Sequence, residues 1–364
     1  MSLALAVRHD GPPLELDLAL PTSRIVAIVG PSGSGKTSLL RAIAGLLSPR
    51  DGRIALDDQV WFDRAAGVDR PTRERPIGFV SQRYGLFPHL SALDNVATSL
   101  LHMAPVERRE RARSWLARTH VSGLDERKPR DLSGGQQQRV AMARALARDP
   151  RVLLLDEPFS SVDRSTRKRL YVELKRLHAE LAPTVLLVTH DLDEAALLAS
   201  HLCLMQRGRI VQHGSTADVL ARPSSLAAAR LLDLPNLLEA DVVASEDGRP
   251  ALAFGPHRLA VSNPGPASAG GRIAWTIAPT RVVLHRVDRP SRGEHENPVR
   301  ARIVDCTVLG DDVTVRLAAE GVVGALLTMR LSSHVATRNQ LAPGLDITVS
   351  VLSDAIVTLA RETA

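Results

Sequence analysis

The octet Gly30-Pro31-Ser32-Gly33-Ser34-Gly35-Lys36-Thr37 constrains this chain more than any other stretch. It fits G-x-x-x-x-G-K-[ST], follows a short β-branched run at 24–29 (RIVAIV), and opens a helix-like segment at 38–47 that stops before Pro49. A strand that ends in a glycine-rich turn and restarts as a helix makes a cradle for phosphate. The glycines let backbone N–H groups converge on phosphate oxygens, and the helix N-terminus adds positive potential. Lys36 is placed to reach the β- and γ-phosphates, and the Thr37 hydroxyl to ligate Mg²⁺. Without that context the same residues are a Gly/Ser-rich turn carrying a lysine. With strand before and helix after, the chain is expected to bind ATP with Mg²⁺.

Near-continuous apolar runs at 151–155 (RVLLL) and 184–189 (TVLLVT) predict further strands, covered on both faces. Amphipathic stretches at 107–120, 139–148 and 164–181 predict helices between them. Strand and helix in alternation mean an α/β domain with a mainly parallel sheet. Beyond Leu234-Pro235 the pattern changes. Short alternating segments at 252–254, 272–277, 299–308, 313–317 and 347–352 predict a small antiparallel β-barrel or sandwich, with loops at 264–271 and 288–298. A length of 364 residues suits two such domains, 1–235 and 236–364.

Aromatic residues make up 3% of the chain, too few for a surface that stacks bases. The net charge is +6, carried by arginines spread along the sequence without a basic block, so a solvated surface accounts for it and no nucleic-acid partner is expected. Cys203 and Cys306 are isolated in apolar surroundings and read as buried, reduced thiols. No apolar run reaches membrane-spanning length, and the apolar start at 1–7 lacks the basic flank and long core of a signal peptide. If the protein works at a membrane, another chain must do the spanning.

The run at 151–155 ends in Asp156-Glu157. An aspartate at the end of a buried strand can hold the Mg²⁺ shell, and Glu157 is placed to polarise an attacking water as general base. Read alone, two acids after a strand are also a common helix-capping arrangement. Leu132-Ser133-Gly134-Gly135-Gln136 decides the family: with the following Gln137-Gln138-Arg139 it resembles the LSGGQ signature of ABC ATPases, and it stands before Asp156-Glu157 as in that family. In isolation it would read as a Gly-Gln linker.

The resemblance covers about 26–220 and implies a P-loop ABC nucleotide-binding domain, with a helical subdomain at about 84–150, followed by an all-β OB-like domain. It implies that Ser133, Gly134, Gly135 and Gln136 cap the γ-phosphate held by another subunit's cradle, to whose residues Ser38 is added. Gln82 sits where the family has its Q-loop glutamine, a contact to Mg²⁺ or its water. Ser160-Ser161-Val162-Asp163 resembles the D-loop and puts Asp163 at a dimer interface. His190 matches the H-loop histidine, a γ-phosphate contact. The implied catalytic set is Glu157, His190, Lys36 and Gln82, and the implied metal set is Thr37, Gln82 and Asp156. The family usually stacks an upstream aromatic on adenine, but 1–29 holds none, which leaves aliphatic side chains, Arg8 or His9.

A single cassette without a membrane segment but with a C-terminal β-domain resembles an importer subunit. The segment at 81–93 (SQRYGLFPHLSAL) is similar to importer cassettes, in which Leu86, Phe87 and His89 would border the groove for a permease's coupling helix. Core packing is the other reading of Leu86 and Phe87. The segments at 60–63 (VWFD) and 70–78 resemble importers of oxyanions, molybdate above all, although sulfate or thiosulfate, ferric iron and polyamine importers use very similar cassettes. The stretch at 297–361 is similar to TOBE or Mop domains, with Asn297-Pro298-Val299-Arg300-Ala301 at the start of the pattern. Glu296 stands where a basic or hydroxylic residue is usual and Leu352 where a lysine is common, and both changes weaken attraction for an oxyanion. The resemblance implies a homodimer, integral membrane permease subunits and, indirectly, a periplasmic binding protein. It places the chain peripherally, at the cytoplasmic face of the bacterial inner membrane. Two rivals remain. Non-transport ABC ATPases acting on nucleic acid or the ribosome usually carry two cassettes or long coiled-coil insertions. A small-molecule kinase has no use for 132–136.

Overall fold

Residues 2–21 alternate apolar and polar, the period of a half-buried strand, which the sequence analysis passed over. They form an antiparallel hairpin, β1 (Ser2–Asp10) and β2 (Pro13–Pro21), with Leu3, Leu5, Leu18 and Leu20 turned inward. The computed structural model describes residues 2–245, 248–262, 270–285 and 295–360. The chain divides into two units, Met1–Ala217 and Asp218–Ala364.

In the first unit β3 (Ile25–Val29), α1 (Lys36–Ala44), β4 (Asp51–Leu56), β5 (Gln59–Asp63), β6 (Val68–Asp69) and β7 (Ile77–Val80) follow the hairpin. Next come α2 (Ala92–Ala97), α3 (Pro105–Arg118) and α4 (Gly134–Leu146), which make the helical part. Then β8 (Val152–Asp156), α5 (Arg164–Leu181), β9 (Thr184–Thr189), α6 (Leu192–Leu198), β10 (His201–Gln206) and β11 (Arg209–Ser215) complete it. One sheet is antiparallel, ordered β2-β1-β4-β5-β6. The other is ordered β11-β10-β3-β9-β8-β7, parallel throughout except for the edge strand β11. Every residue of β3, β8 and β9 is buried, as their unbroken apolar runs require. The P-loop, Gln82, Asp156-Glu157 and His190 all follow the carboxyl ends of parallel strands. Open α/β sheets bind ligands at that edge.

Helix α1 is nine residues long, too short to be stable alone. It is held by burying Leu39, Leu40, Ala42, Ile43 and Ala44 in a core shared with both sheets. It ends at Gly45, whose left-handed φ of 72° stops it before the expected residue 47. Helix α4 begins at Gly134, earlier than the expected 139, because Ser133 and Gln136 form a capping box that satisfies its first donors.

Helix α7 (Thr216–Ala221) lies at the division between the units. The second unit holds α8 (Leu226–Leu231), β12 (Leu237–Ala244), β13 (Pro250–Phe254), β14 (His257–Ala260), β15 (Arg272–Thr276) and β16 (Val282–Leu284). It continues with β17 (Glu296–Leu309), β18 (Asp312–Ala319), β19 (Leu327–Ser332), α9 (Ser333–Arg338), β20 (Asp346–Leu352) and β21 (Val357–Leu359). Two antiparallel sheets, β14-β13-β12-β15-β21 and β16-β20-β17-β18-β19, enclose one core around Trp275, Val315, Leu317 and Val349. Two buried amides pin it. Asn236 donates to the carbonyls of Ile277 (3.1 Å) and Thr328 (2.8 Å). Asn297 donates to those of Ala260 (3.0 Å) and Val351 (2.9 Å).

Two expectations are corrected. Residues 296–298 were read as loop but belong to β17, where they pair with β20. Cys306 is half-buried rather than buried, whereas Cys203 is 1% exposed and burial pushes its thiol up to about 12. Most of the expected loop at 264–271, most of that at 288–298, and residue 361 lie outside the described residues. Among the described residues no helix is long and apolar enough to cross a membrane.

Candidate active site

The P-loop conformation follows from its glycines. Gly33 and Gly35 take left-handed φ values of 78° and 101°, where a side chain is strained. Gly30 has no room for one, since a Cβ there would lie 2.0 Å from the Met205 carbonyl oxygen. Gly35 is the N-cap of α1 and offers no side-chain cap, so that helix end is open to an anion. Lys36 is 6% exposed, and its ammonium donates to the carbonyls of Gly30 (2.8 Å) and Pro31 (2.9 Å). Burial lowers its pKa, while Glu157 and Asp156 oppose the shift. The Ser34 hydroxyl is buried without a partner, a polar atom turned into the same loop.

The Thr37 hydroxyl donates to Asp156 Oδ1 at 3.0 Å. Burial pushes the Asp156 carboxyl up; the Thr37 bond lowers it and the Glu157 charge raises it. A hard cation among these oxygens would relieve that burial, and hydroxyl, carboxylate and phosphate are the donors Mg²⁺ prefers. Among the described residues no group of three or more His, Cys, Asp or Glu is arranged to hold a metal. A resident ion here would take part of its shell from the nucleotide.

Glu157 leaves β8 with φ 45°, unusual for a residue with a Cβ. Its N–H donates to Val188 at 3.0 Å, and its carbonyl accepts the Ser160 amide at 3.2 Å and the Ser160 hydroxyl at 2.9 Å. The side chain is thereby aimed outward. Gln82 Nε2 donates to Glu157 Oε2 at 3.2 Å, and His190 Nδ1 lies 3.5 Å from that oxygen. Side chains following β7, β8 and β9 thus converge on one carboxylate. A carboxylate held in this way can accept a proton from water.

The remaining motif residues are placed apart from this cluster. Ser133 Oγ accepts the Gln136 amide at 3.3 Å, and Gln136 Oε1 accepts the Ser133 amide at 2.8 Å. Gly135 is packed so that a Cβ would fall 2.9 Å from Thr166 Cγ2. Asp163 caps α5, accepting from the Ser165 hydroxyl (2.6 Å) and the Thr166 amide (3.0 Å), which holds its carboxyl well below the usual range. Among the described residues, no hydrogen bond or ion pair ties 133–136 or Asp163 to the cluster around Lys36 and Glu157. Arg8 is exposed, and His9 Nε2 is bonded to the Gly11 carbonyl in the β1–β2 turn (3.1 Å).

Leu86 is half-buried, Phe87 is 44% exposed, and His89 is exposed, with the two rings 6.1 Å apart. Asn95, fully buried, shapes this loop: it accepts the Phe87 amide (2.8 Å) and donates to the carbonyls of Phe87 (3.1 Å), Leu90 (3.2 Å) and Ser91 (3.0 Å). The sequence analysis missed Asn95, although an amide next to the apolar Val96 and Ala97 in ALDNVA was a signal. It also missed Glu194, buried on α6 just beyond His190 in sequence. Thr189 Oγ1 donates to Glu194 Oε2 at 3.1 Å, and burial pushes that carboxyl up to about 7.

Compared with protein families, residues 14–160 match the ABC transporter model and residues 276–359 the TOBE domain model. The Fe(3+) ions import ATP-binding protein FbpC of Brucella abortus is 35% identical over 331 residues, covering 84% of this chain and 91% of that one. The spermidine/putrescine import ATP-binding protein PotA of Roseobacter denitrificans is 36% identical over 341 residues, covering 92% and 90%. Among solved structures, the dimeric post-hydrolysis state of the ATP-binding cassette MJ0796 with ADP and Pi is similar at TM-score 0.51 and 32% identity, over 59% of this chain and 99% of that one. CbiO1 of Clostridium perfringens, part of the complex CbiONQ, is similar at TM-score 0.54 and 28% identity, over 60% and 90%.

Proposed function

The chain belongs to the ATP-binding import subunits of ABC transporters, with a cassette followed by a TOBE domain, and from that premise we propose how this ATPase works and what it serves. Two copies close on two ATP molecules, each held by one chain's Lys36 loop and the other's Ser133 turn. The dimeric state of the solved cassette supports this arrangement. Thr37 and Asp156, with Gln82 at the edge, would hold Mg²⁺, which would offset negative charge on the bound nucleotide. Glu157 takes a proton from the attacking water, and Gln82 and His190 keep its carboxylate in place. Lys36 and His190 stabilise charge that develops on the transferring group. Closure biases membrane permease subunits that meet the cassette at Leu86, Phe87 and His89, an exchange of binding energy for a conformational shift. The chain then works peripherally at the inner face of the membrane, with a binding protein acting through the permease.

For the cargo, a cation is the better reading. The named relatives import ferric iron and spermidine or putrescine. The segments that resemble molybdate importers have structural work here: Trp61 and Phe62 are core residues, and the Arg75 guanidinium is 1% exposed among backbone carbonyls. In the second unit Glu296 faces Leu352 across paired strands and accepts the Ser350 hydroxyl at 2.9 Å, a poor setting for an oxyanion.

The observation that carries the mechanism is the convergence of Gln82 and His190 on Glu157 Oε2. Its test is turnover in proteoliposomes with the cognate permease and with binding protein loaded with Fe³⁺, spermidine or molybdate. Glu157→Gln should lower hydrolysis at least about 100-fold while ATP binding persists and the dimer accumulates. Undiminished hydrolysis sinks the general-base assignment, and stimulation by molybdate alone sinks the cationic cargo.

A further inference from the structure

Arg144 is a charged residue that neither the catalytic set nor the docking loop accounts for. It lies on α4, half-buried, and burial lowers its pKa. Among the described residues it has no carboxylate partner. Placing a guanidinium in such a position is costly unless its donors are satisfied. Two of them are met by backbone: Nη1 donates to the Gly85 carbonyl at 2.8 Å and Nη2 to the Tyr84 carbonyl at 2.9 Å. The guanidinium carbon lies over the Phe87 ring, 5.8 Å from its centre.

The two carbonyls belong to an elbow. Tyr84 and Gly85 both have left-handed φ, 62° and 57°, and such a backbone keeps its shape in a bulky residue only when something holds it. Gln82, whose amide reaches Glu157, precedes the elbow; Phe87 follows it and is exposed. The other end of α4 is the Ser133 turn, about 15 Å from Arg144 by the helical rise. One arginine therefore joins the helix that begins at the signature to the midpoint of the segment between nucleotide site and surface.

We propose that Arg144 is a positioning residue that couples the nucleotide site to the docking loop: by fastening the Tyr84-Gly85 elbow to α4, it makes a shift of the Ser133 end move Phe87. The proposal rests on the reading of 86–89 as the permease-docking face. It asks of arginine what lysine cannot supply, a planar fork spanning two carbonyls.

The test uses the full chain, alone and with its permease and loaded binding protein in proteoliposomes. Arg144→Lys should leave kcat and KM for ATP of the isolated subunit within about twofold, while stimulation by the loaded binding protein falls about tenfold. Equal loss of basal and stimulated activity marks a merely structural residue and overturns the proposal, as does unchanged stimulation. Phe87→Ala, at an exposed position where folding is not at risk, should lower stimulation similarly, and the double variant should be no worse than the stronger single one. Additive losses overturn the coupling. A separate readout is amide exchange on ATP binding: 133–137 and 84–90 should change together in the wild type, and only 133–137 in Arg144→Lys. If both still change in that variant, the coupling is wrong. Failure of Phe87→Cys to cross-link to the permease removes the docking reading instead, and the exchange result still decides whether Arg144 links the two segments.

Discussion

Glu194 has one carboxylate oxygen on the Thr189 hydroxyl and the other buried without a partner. Its pKa rises from an ordinary 4.5 to about 7, through burial first and then the charges of Asp191 and Glu157, against lowering by Thr189 and Arg167. Below about pH 4 the group is protonated in both folded and unfolded chain. As pH rises from there to about 7 the unfolded chain ionises while the folded one keeps its proton, so stability is lost through that window. Glu194→Gln should therefore be more stable than wild type at pH 8, by up to about 3 kcal/mol, and the gain should vanish near pH 4. Urea unfolding at the two pH values checks this; a gain independent of pH would contradict it. The phosphate-loop residues were legible because backbone geometry at a P-loop is local and leaves a fixed spacing of glycines. Glu194 was not, since its chemistry comes from what packs around it and not from its neighbours in sequence.

Helix α1 illustrates the same division among elements. Its start was readable from Gly35-Lys36-Thr37, but its end is fastened by a residue far along the chain. Arg75 donates to the carbonyls of Ala42 (2.8 Å) and Ile43 (2.7 Å) at the C-terminus, and also to Arg70 (2.8 Å) and Asp69 (3.2 Å). A cation at this end also complements the helix dipole. Gly45 is needed beside it, because a Cβ there would come within 2.8 Å of the Arg75 guanidinium carbon. Arg75→Met should cost about 2–4 kcal/mol, as buried carbonyls lose their donors. Arg75→Lys should recover only part, since an ammonium cannot span the same acceptors. A urea midpoint for Arg75→Met equal to wild type would refute this capping role. The segment at 70–78 looked like a mark of cargo in the sequence; in the structure its arginine is a clamp on the P-loop helix.

At the scale of the molecule, the alternation of strands and helices gave the parallel sheet, because buried parallel strands advertise themselves as apolar runs. The strand pairing of the second unit was less legible: β14, β16 and β21 are only three or four residues long, and β16 and β21 pair with β20 and β15, far away in sequence. Asn236 is an example, fully buried and joining Ile277 and Thr328 by three hydrogen bonds, including 2.6 Å from the Thr328 amide. Each unit has its own core. Scanning calorimetry of Asn236→Ala should accordingly shift the transition of the second unit downward by several degrees, with the first unit's transition and the basal ATPase rate unaltered. A single transition that moves as a whole would show that the units melt together.

The two glycine-rich helix ends differ in one respect. At Gly35 no side chain covers the N-terminus, whereas at Ser133 the chain covers part of it, with Gln136 Oε1 accepting the Ser133 amide and the Ser133 hydroxyl accepting that of Gln136. A visitor to the second end must therefore outcompete a neutral amide oxygen that is tethered in place. Hydrogen bonds to an ionised acceptor are roughly twice as strong as those to a neutral one. The glutamine thus acts as a threshold for that one amide: an uncharged group meets an occupied donor there, and a concentrated negative charge is better able to claim it.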